Sequence, residues 1–491
     1  TLADTIPVDE ISDGVFYQLV DKQIQVEKNG FRTSYSRFIE TTVNQTGVED
    51  SSQINLEFDP SYQKLILNTL TVIRDGKPMD RLSEAQISVF SRETDLDQQI
   101  YSGRLTLNIL LDDIQTGDTL DYSYTRYGSN PVYKNIFSFS HNLNWNVPVY
   151  NQHIRVLWGK PKALNLQSRN LSPDIITSQF GAFTEYQINL QNQASINVPS
   201  QIPRWYSPYG KIYFNEVNNW QEVVAWAQPM YHFGPTQPAI AEVAKQIEQT
   251  FSTKSGQIEA ALKYVQNNIR YVGLEMGENS HLPTAPEETL ALKYGDCKDK
   301  ASLLIAILQA LNIEAYPALV ETQQTKLLAE LPPSPNVFNH VIVWLDLAGT
   351  SFWLDPTLSN QKGNLTNLYQ PDYGYALILK EGIEQLTAMH KNESQDYRWI
   401  TEKYLLPEAN DSPVIFSASA TYKGYEAMKQ LWKLEQDGKN NVADEYEVYY
   451  QRLFPSLTTL DEMTVNINDA SGEVRIDERY QIATFWTMGD E

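Results

Sequence analysis

The sequence predicts a multidomain α+β protein. An N-terminal antiparallel β-sandwich leads into a central α+β unit built on one cysteine-bearing helix, and a β-rich C-terminal unit with a helical insertion follows. Three observations predict this. Apolar and polar residues alternate from about Phe16 to Ser200, helical spacing takes over at Ala239, and strand and helix patterns mix again toward the end of the chain. The units expected are residues 1–200, a connection at 201–238, a core at 239–395 and a last unit at 396–491. A chain of 491 residues is too long for one hydrophobic core.

In the first unit, Gln23–Val26, Gln53–Phe58, Leu105–Ile109, Leu120–Tyr124 and Tyr186–Leu190 alternate with period two. Turn signals such as Lys28-Asn29-Gly30 and Asp75-Gly76-Lys77-Pro78 separate such strands. Prolines and glycines crowd 201–238 around a short helix, Trp220 to Ala227, and mark the stretch as a connection whose aromatic residues pack on its neighbours. Amphipathic helices are expected over Ala239–Phe251 and Gly256–Arg270. Thr284-Ala285-Pro286-Glu287 reads as a capping box opening a third helix. The next helix starts at Cys297 and stops at Leu311-Asn312, with Asp296 as its N-cap and Gly295 allowing the sharp entry. Ile313–Glu321 reads as a strand, with Pro317 suggesting an edge or a bulge. Phe338–Leu345 and Ser351–Thr357 flank Ala348-Gly349 as a hairpin. Pro413–Tyr422, Met463–Ile467 and Val474–Ala483 read as strands around helices split at Gly438, a unit expected to be cut before its sheet is complete.

Composition excludes several functions. With 61 acidic and 38 basic residues the formal charge is −23 and no basic run occurs, so nucleic acid and anionic membrane surfaces are not expected partners. One cysteine allows no internal disulfide and no multi-cysteine zinc site. The longest apolar run, Ser302 to Leu311, is far short of a membrane span. The chain opens on Thr1-Leu2-Ala3-Asp4 without Met, so a signal peptide is expected to have been removed.

The chemistry gathers at Cys297. Unpaired backbone N–H groups and the positive end of the helix dipole favour negative charge on a side chain in this first turn. A cysteine nucleophile also needs an imidazole and a group to orient it. His340 and Asp355, on the two strands of the hairpin, are the candidates. A loop of even length about Ala348-Gly349 places them on one face, opposite or one diagonal step apart; an odd loop separates them. Each residue also has a plainer reading: a small buried thiol, a core histidine, and an aspartate that starts a turn. Of the other histidines, His141, His153 and His232 have no ligand partners at metal spacing, and His281, near Glu275 and Glu278, is a cleft residue before it is a metal ligand.

Several motifs together resemble the bacterial transglutaminase-like superfamily, which has a papain-like fold. They are Asn268-Ile269-Arg270-Tyr271-Val272, Tyr294-Gly295-Asp296-Cys297-Lys298-Asp299-Lys300-Ala301, Leu311-Asn312-Ile313-Glu314-Ala315-Tyr316-Pro317-Ala318, Phe338-Asn339-His340-Val341 and Trp353-Leu354-Asp355-Pro356-Thr357. Asn312 stands where relatives often have Gly, and Asn tolerates the same left-handed C-cap. The β-rich region before the core resembles the domain of unknown function that commonly precedes it in envelope proteins. The resemblance implies a Cys297–His340–Asp355 triad working through a thioester, with the Cys297 N–H donating to the oxyanion and Tyr271 as an auxiliary group near the site. It also implies amide chemistry on a protein or peptide substrate without cofactor or metal, a periplasmic or cell-surface location, and association with other envelope proteins. Some members of the superfamily lack activity, so a non-catalytic interaction scaffold is the alternative.

Overall fold

The computed structural model describes residues 2–3, 5–389, 396–408 and 412–486, so the boundary expected at 395 lies outside the described residues. Alternation in the N-terminal region produces an eight-stranded sheet. From edge to edge its strands are Ile176–Phe180, Phe183–Gln193, Val149–Trp158, Val15–Val26, Arg32–Thr42, Thr119–Tyr127, Lys64–Arg74 and Lys77–Asp80. Neighbours are antiparallel except in one pair: Val15–Val26 runs parallel to Val149–Trp158, with Tyr17 opposite Val149. A period of two reports which face is buried and carries no information on a partner's direction. The layer expected to be antiparallel is therefore mixed at that one pairing.

Two three-stranded sheets cover the inner face. Gln53–Phe58, Leu105–Leu110 and Gln86–Ser91 close over an apolar cluster that includes Ile54, Leu70, Ile109 and Leu120. Ser138–Asn142, Lys211–Asn215 and Asn165–Arg169 close over a second, with Ile24, Ile154, Ile212 and Phe214. The second sheet corrects the expected connection at 201–238, because Lys211–Asn215 pairs on both of its sides. Pro208 and Gly210 hide this strand in the sequence but stand just before it, and Ile212 and Phe214 are fully buried within it. The short helix Trp220–Ala227 forms as expected under an Asn219 cap, and Val223, Val224 and Trp226 join the core of the central unit.

In that unit, helices Pro238–Thr250, Lys254–Asn268, Pro286–Leu292 and Cys297–Ala310 pack with a five-stranded antiparallel sheet. Its order is Thr350–Leu354, His340–Leu347, Ala315–Val320, Tyr375–Ile378, Thr387–Ala388. Leu303, Leu304, Ile307 and Leu308 of the Cys297 helix are wholly buried. At roughly 1.5–3 kcal/mol for each such side chain, this helix anchors the unit.

Two local expectations fail here. Pro286 takes the first helical position of Pro286–Leu292, so Ala285 is the cap residue and Thr284 stands one place too early for a capping box. Ala315–Val320 is a central strand and not an edge. Pro317 is accommodated because its carbonyl accepts from the Leu379 N–H at 2.8 Å, while its nitrogen, on the same side, lies past the ladder with Tyr375–Ile378 that ends at Ala318.

The C-terminal unit is a four-stranded antiparallel sheet ordered Tyr397–Leu405, Val414–Lys423, Glu473–Ile482, Leu457–Asn468. Helices Tyr425–Asp437 and Lys439–Gln451 pack on it through Ala427, Leu431 and Val442, and Gly438 joins them at φ 82°. No helix among the described residues is long and apolar enough to cross a membrane.

Candidate active site

Cys297 is the first residue of its helix, so its backbone N–H precedes the first intrahelical hydrogen bond. The entry to the helix is rigid. Asp296 accepts from the N–H groups of Lys298 and Asp299, and Asp299 accepts in return from the Asp296 N–H at 3.1 Å, which completes a capping box. Gly295 is required beside it, since a Cβ there would lie 2.7 Å from the Asp299 Cβ. The two nearby cations are already engaged. Lys298 donates to the Asp296 carboxylate, and Lys300 Nζ donates to the Ile269 carbonyl at 2.6 Å.

The hairpin supplies the other two side chains. Ala348 and Gly349 form a two-residue turn with φ of 54° and 84°, and Leu347 stands opposite Thr350. The loop is therefore even, and the register carries Asp355 to the face of His340, one diagonal step away. His340 Nε2 donates to Asp355 Oδ2 at 2.8 Å. With Nε2 taken, Nδ1 is the ring nitrogen left to meet the Cys297 sulfur, which acts on the imidazole after Asp355. Asp355 is fully buried. Its Oδ1 accepts from the Thr357 N–H at 2.9 Å and the Thr357 hydroxyl at 2.6 Å, and its Oδ2 also accepts from the Tyr373 hydroxyl at 3.1 Å. Gln266, on the helix Lys254–Asn268, donates to the Asp355 carbonyl at 3.1 Å.

These contacts decide the charge state of the pair. Burial alone would lower the His340 pKa, but the Asp355 carboxylate, and after it the Cys297 sulfur, raise it well above the ordinary 6.5. Burial alone would raise Asp355, but the His340 charge and hydrogen bond and the two Thr357 bonds hold it below the ordinary 3.8. Both shifts favour an imidazolium held by a carboxylate.

Cys297 and His340 line a cleft of about 290 Å³ with apolar walls from Trp226, Tyr231 and Phe338. Arg104, from the N-terminal unit, lines it too. Tyr271 pairs with Gly295, which brings it alongside Cys297. Burial first and the sulfur second raise its phenol pKa, and it is not among the residues lining the cleft. His281 lines the cleft with both ring nitrogens engaged, by the Tyr133 hydroxyl at 3.2 Å and the Ser280 hydroxyl at 2.9 Å. Burial and then Lys298 lower its pKa to about 4. Among the described residues no three His, Cys, Asp or Glu side chains converge as metal ligands. His141 and His153 sit on strands of the N-terminal unit, and His153 is bonded to Asp21 at 2.8 Å.

Residues 241–341 match the model of the transglutaminase-like superfamily, and residues 28–197 match that of DUF3857, a domain of unknown function with a solved structure. The chain carries a transglutaminase-like core. Its fold is similar along nearly its whole length to a protein from Parabacteroides distasonis provisionally described as a protease. The TM-score is 0.65 at 11% identity, covering 96% of this chain and 94% of that one. A protein from Cytophaga hutchinsonii, provisionally described as a cysteine protease, aligns over 45% of this chain and 74% of its own, with 14% identity and a TM-score of 0.21. No curated protein matches the sequence.

Four residues around the transglutaminase-like core's cysteine escaped sequence reasoning. Thr357 had a signal: an aspartate followed two places on by a threonine commonly bonds back to its own backbone. Tyr373, Gln266 and Arg104 had none, because each reaches the site from a segment whose local pattern speaks only of turn, helix or strand.

Proposed function

We propose that the protein is a cysteine-dependent hydrolase or transamidase acting on amide bonds of proteins or peptides. The observation that carries this is the His340–Asp355 hydrogen bond set beside the Cys297 sulfur, with Cys297 and His340 lining one cleft. With the proton resting on His340, the Cys297 sulfur attacks the amide carbon. The S–C bond forms as the carbonyl electron pair moves onto oxygen, toward the Cys297 N–H. The His340 Nδ1–H then protonates the departing nitrogen, the C–N bond breaks, and a thioester remains. Water or an amine attacks it, gives its proton to His340, and expels the sulfur. Asp355 keeps the ring oriented and its charge matched throughout.

The single cysteine makes the test clean. Intact mass after acid quench should show a substrate-derived adduct on the native protein that hydroxylamine removes and that Cys297→Ala lacks. A thiol that resists alkylation until the protein is denatured would sink this reading.

A further inference from the structure

The inner face of the eight-stranded sheet holds an arrangement that acyl transfer does not use. Lys22 is opposite Ser36, Arg32 is opposite Val26, and Ser34 is opposite Arg126. Lys22, Arg32 and Arg126 therefore point to the same side as Ile24, Val26 and Tyr124, which belong to the two apolar clusters. Where those clusters part, the three cations line a cavity of about 270 Å³, together with Ser34, Ser138, Asn130 and Asn336 and the rings of Tyr133 and Phe137.

Among the described residues no carboxylate lines this cavity and none ion-pairs with any of the three cations. In a chain with 61 acidic residues against 38 basic ones, that is the reverse of what abundance favours. Among the described residues Lys22 Nζ donates only to the Ser36 hydroxyl, at 2.8 Å. The Arg126 guanidinium lies 4.9 Å from the Tyr124 ring centre, and its Nε is buried without a hydrogen-bond partner among the described residues. The Arg32 guanidinium lies 5.4 Å from the Phe137 ring centre. Burial, then repulsion from Arg126 and Arg32, brings the Lys22 pKa down to about 7, and burial followed by Arg126 brings Arg32 to about 10. Facing cations on an inner sheet face destabilise the fold unless negative charge offsets them.

We propose that this cavity binds a small oxyanion carrying at least two negative charges, a phosphate or a dicarboxylate. Arg32 and Arg126 supply planar guanidinium donors and Lys22 a compact charge. The hydroxyl and amide groups complete the shell, and the aromatic rings flank the ligand's body. The site lies directly behind the cleft: Asn130 and Tyr133 in its wall bond Gly277 and His281 on the other side.

Scanning calorimetry of the full chain at about pH 7, where Lys22 is still partly charged and phosphate is substantially dianionic, tests this with inorganic phosphate and with succinate, each against sodium chloride at equal ionic strength. At least one of the two anions should raise the melting temperature in a dose-dependent way beyond chloride, and which one does so identifies the ligand class. Arg126→Gln should abolish that increment and weaken calorimetrically measured binding of the same anion tenfold or more. The variant without anion should melt above the wild type without anion, because an unpaired cation has been removed. Should Arg126→Gln fail to fold, Lys22→Met provides the same readings. The proposal is overturned if neither anion exceeds chloride, or if the variants keep the full increment.

Discussion

Asp355 accepts from His340, Tyr373 and Thr357, so its carboxylate is held as firmly as the ring it orients. Asp355→Asn keeps the volume and loses the charge. It should lower kcat/KM by about 10²–10⁴-fold and bring the His340 titration, followed by NMR, down toward neutrality. The pair also predicts how stability depends on pH. The folded value of His340 lies above 6.5, so its contribution is full below 6.5 and is lost as pH rises through the raised value. That of Asp355 lies below 3.8, so its contribution is full above 3.8 and is lost as pH falls through the depressed value. The melting-temperature gap between wild type and His340→Gln should therefore be widest between pH 3.8 and 6.5 and shrink on either side. The parity of the hairpin loop was the geometric unknown that the sequence left open for these two residues. Tyr373 could not be read at all, since its contact with Asp355 depends on how an aperiodic segment returns to the sheet.

Among the elements, the Cys297 helix and the His340 hairpin were the most legible, because each has a local cause. The Asp296 cap was visible, and Asn312 adopts the left-handed C-cap conformation, at φ 56°. Asp299 does more than its first-turn position suggests, since it also accepts from the Thr284 N–H at 2.7 Å and so ties the preceding loop to the helix start. Asp299→Ala should cost about 1–2 kcal/mol in denaturant unfolding and slow Cys297 alkylation. In the hairpin, Ala348 occupies a left-handed conformation at φ 54° that suits glycine better. Ala348→Gly should stabilise by about 0.5–1 kcal/mol with activity unchanged. Misread elements had non-local causes. Lys211–Asn215 is held between two strands far away in sequence, and Pro317 is tolerated only because a neighbouring ladder stops beside it.

Across the whole molecule, the N-terminal unit braces the cleft. Ile100–Tyr101 pairs with Gly273–Leu274, and Asn130 donates to the Gly277 carbonyl at 2.8 Å and to the Ser280 hydroxyl at 3.0 Å while accepting from the Val132 N–H. Asn130→Ala leaves the buried Val132 N–H and Gly277 carbonyl without these partners. It should cost about 1–3 kcal/mol and speed proteolysis within residues 273–281. This bracing was illegible in the sequence, where the two sides are separated by more than a hundred residues and share no pattern.

The parallel pair has a further consequence, for the time course of folding. Strand Val15–Val26 cannot complete its pairing until Val149–Trp158 exists, and the smaller sheet beneath it waits for Lys211–Asn215. At a synthesis rate of roughly 5–20 residues per second, the first strand spends many seconds with one edge open. Closing so long a loop is entropically slow, and an open edge invites pairing with other chains. Refolding yield should thus fall steeply with protein concentration, and the rate-limiting step should belong to the N-terminal unit rather than to the helical core that carries Cys297.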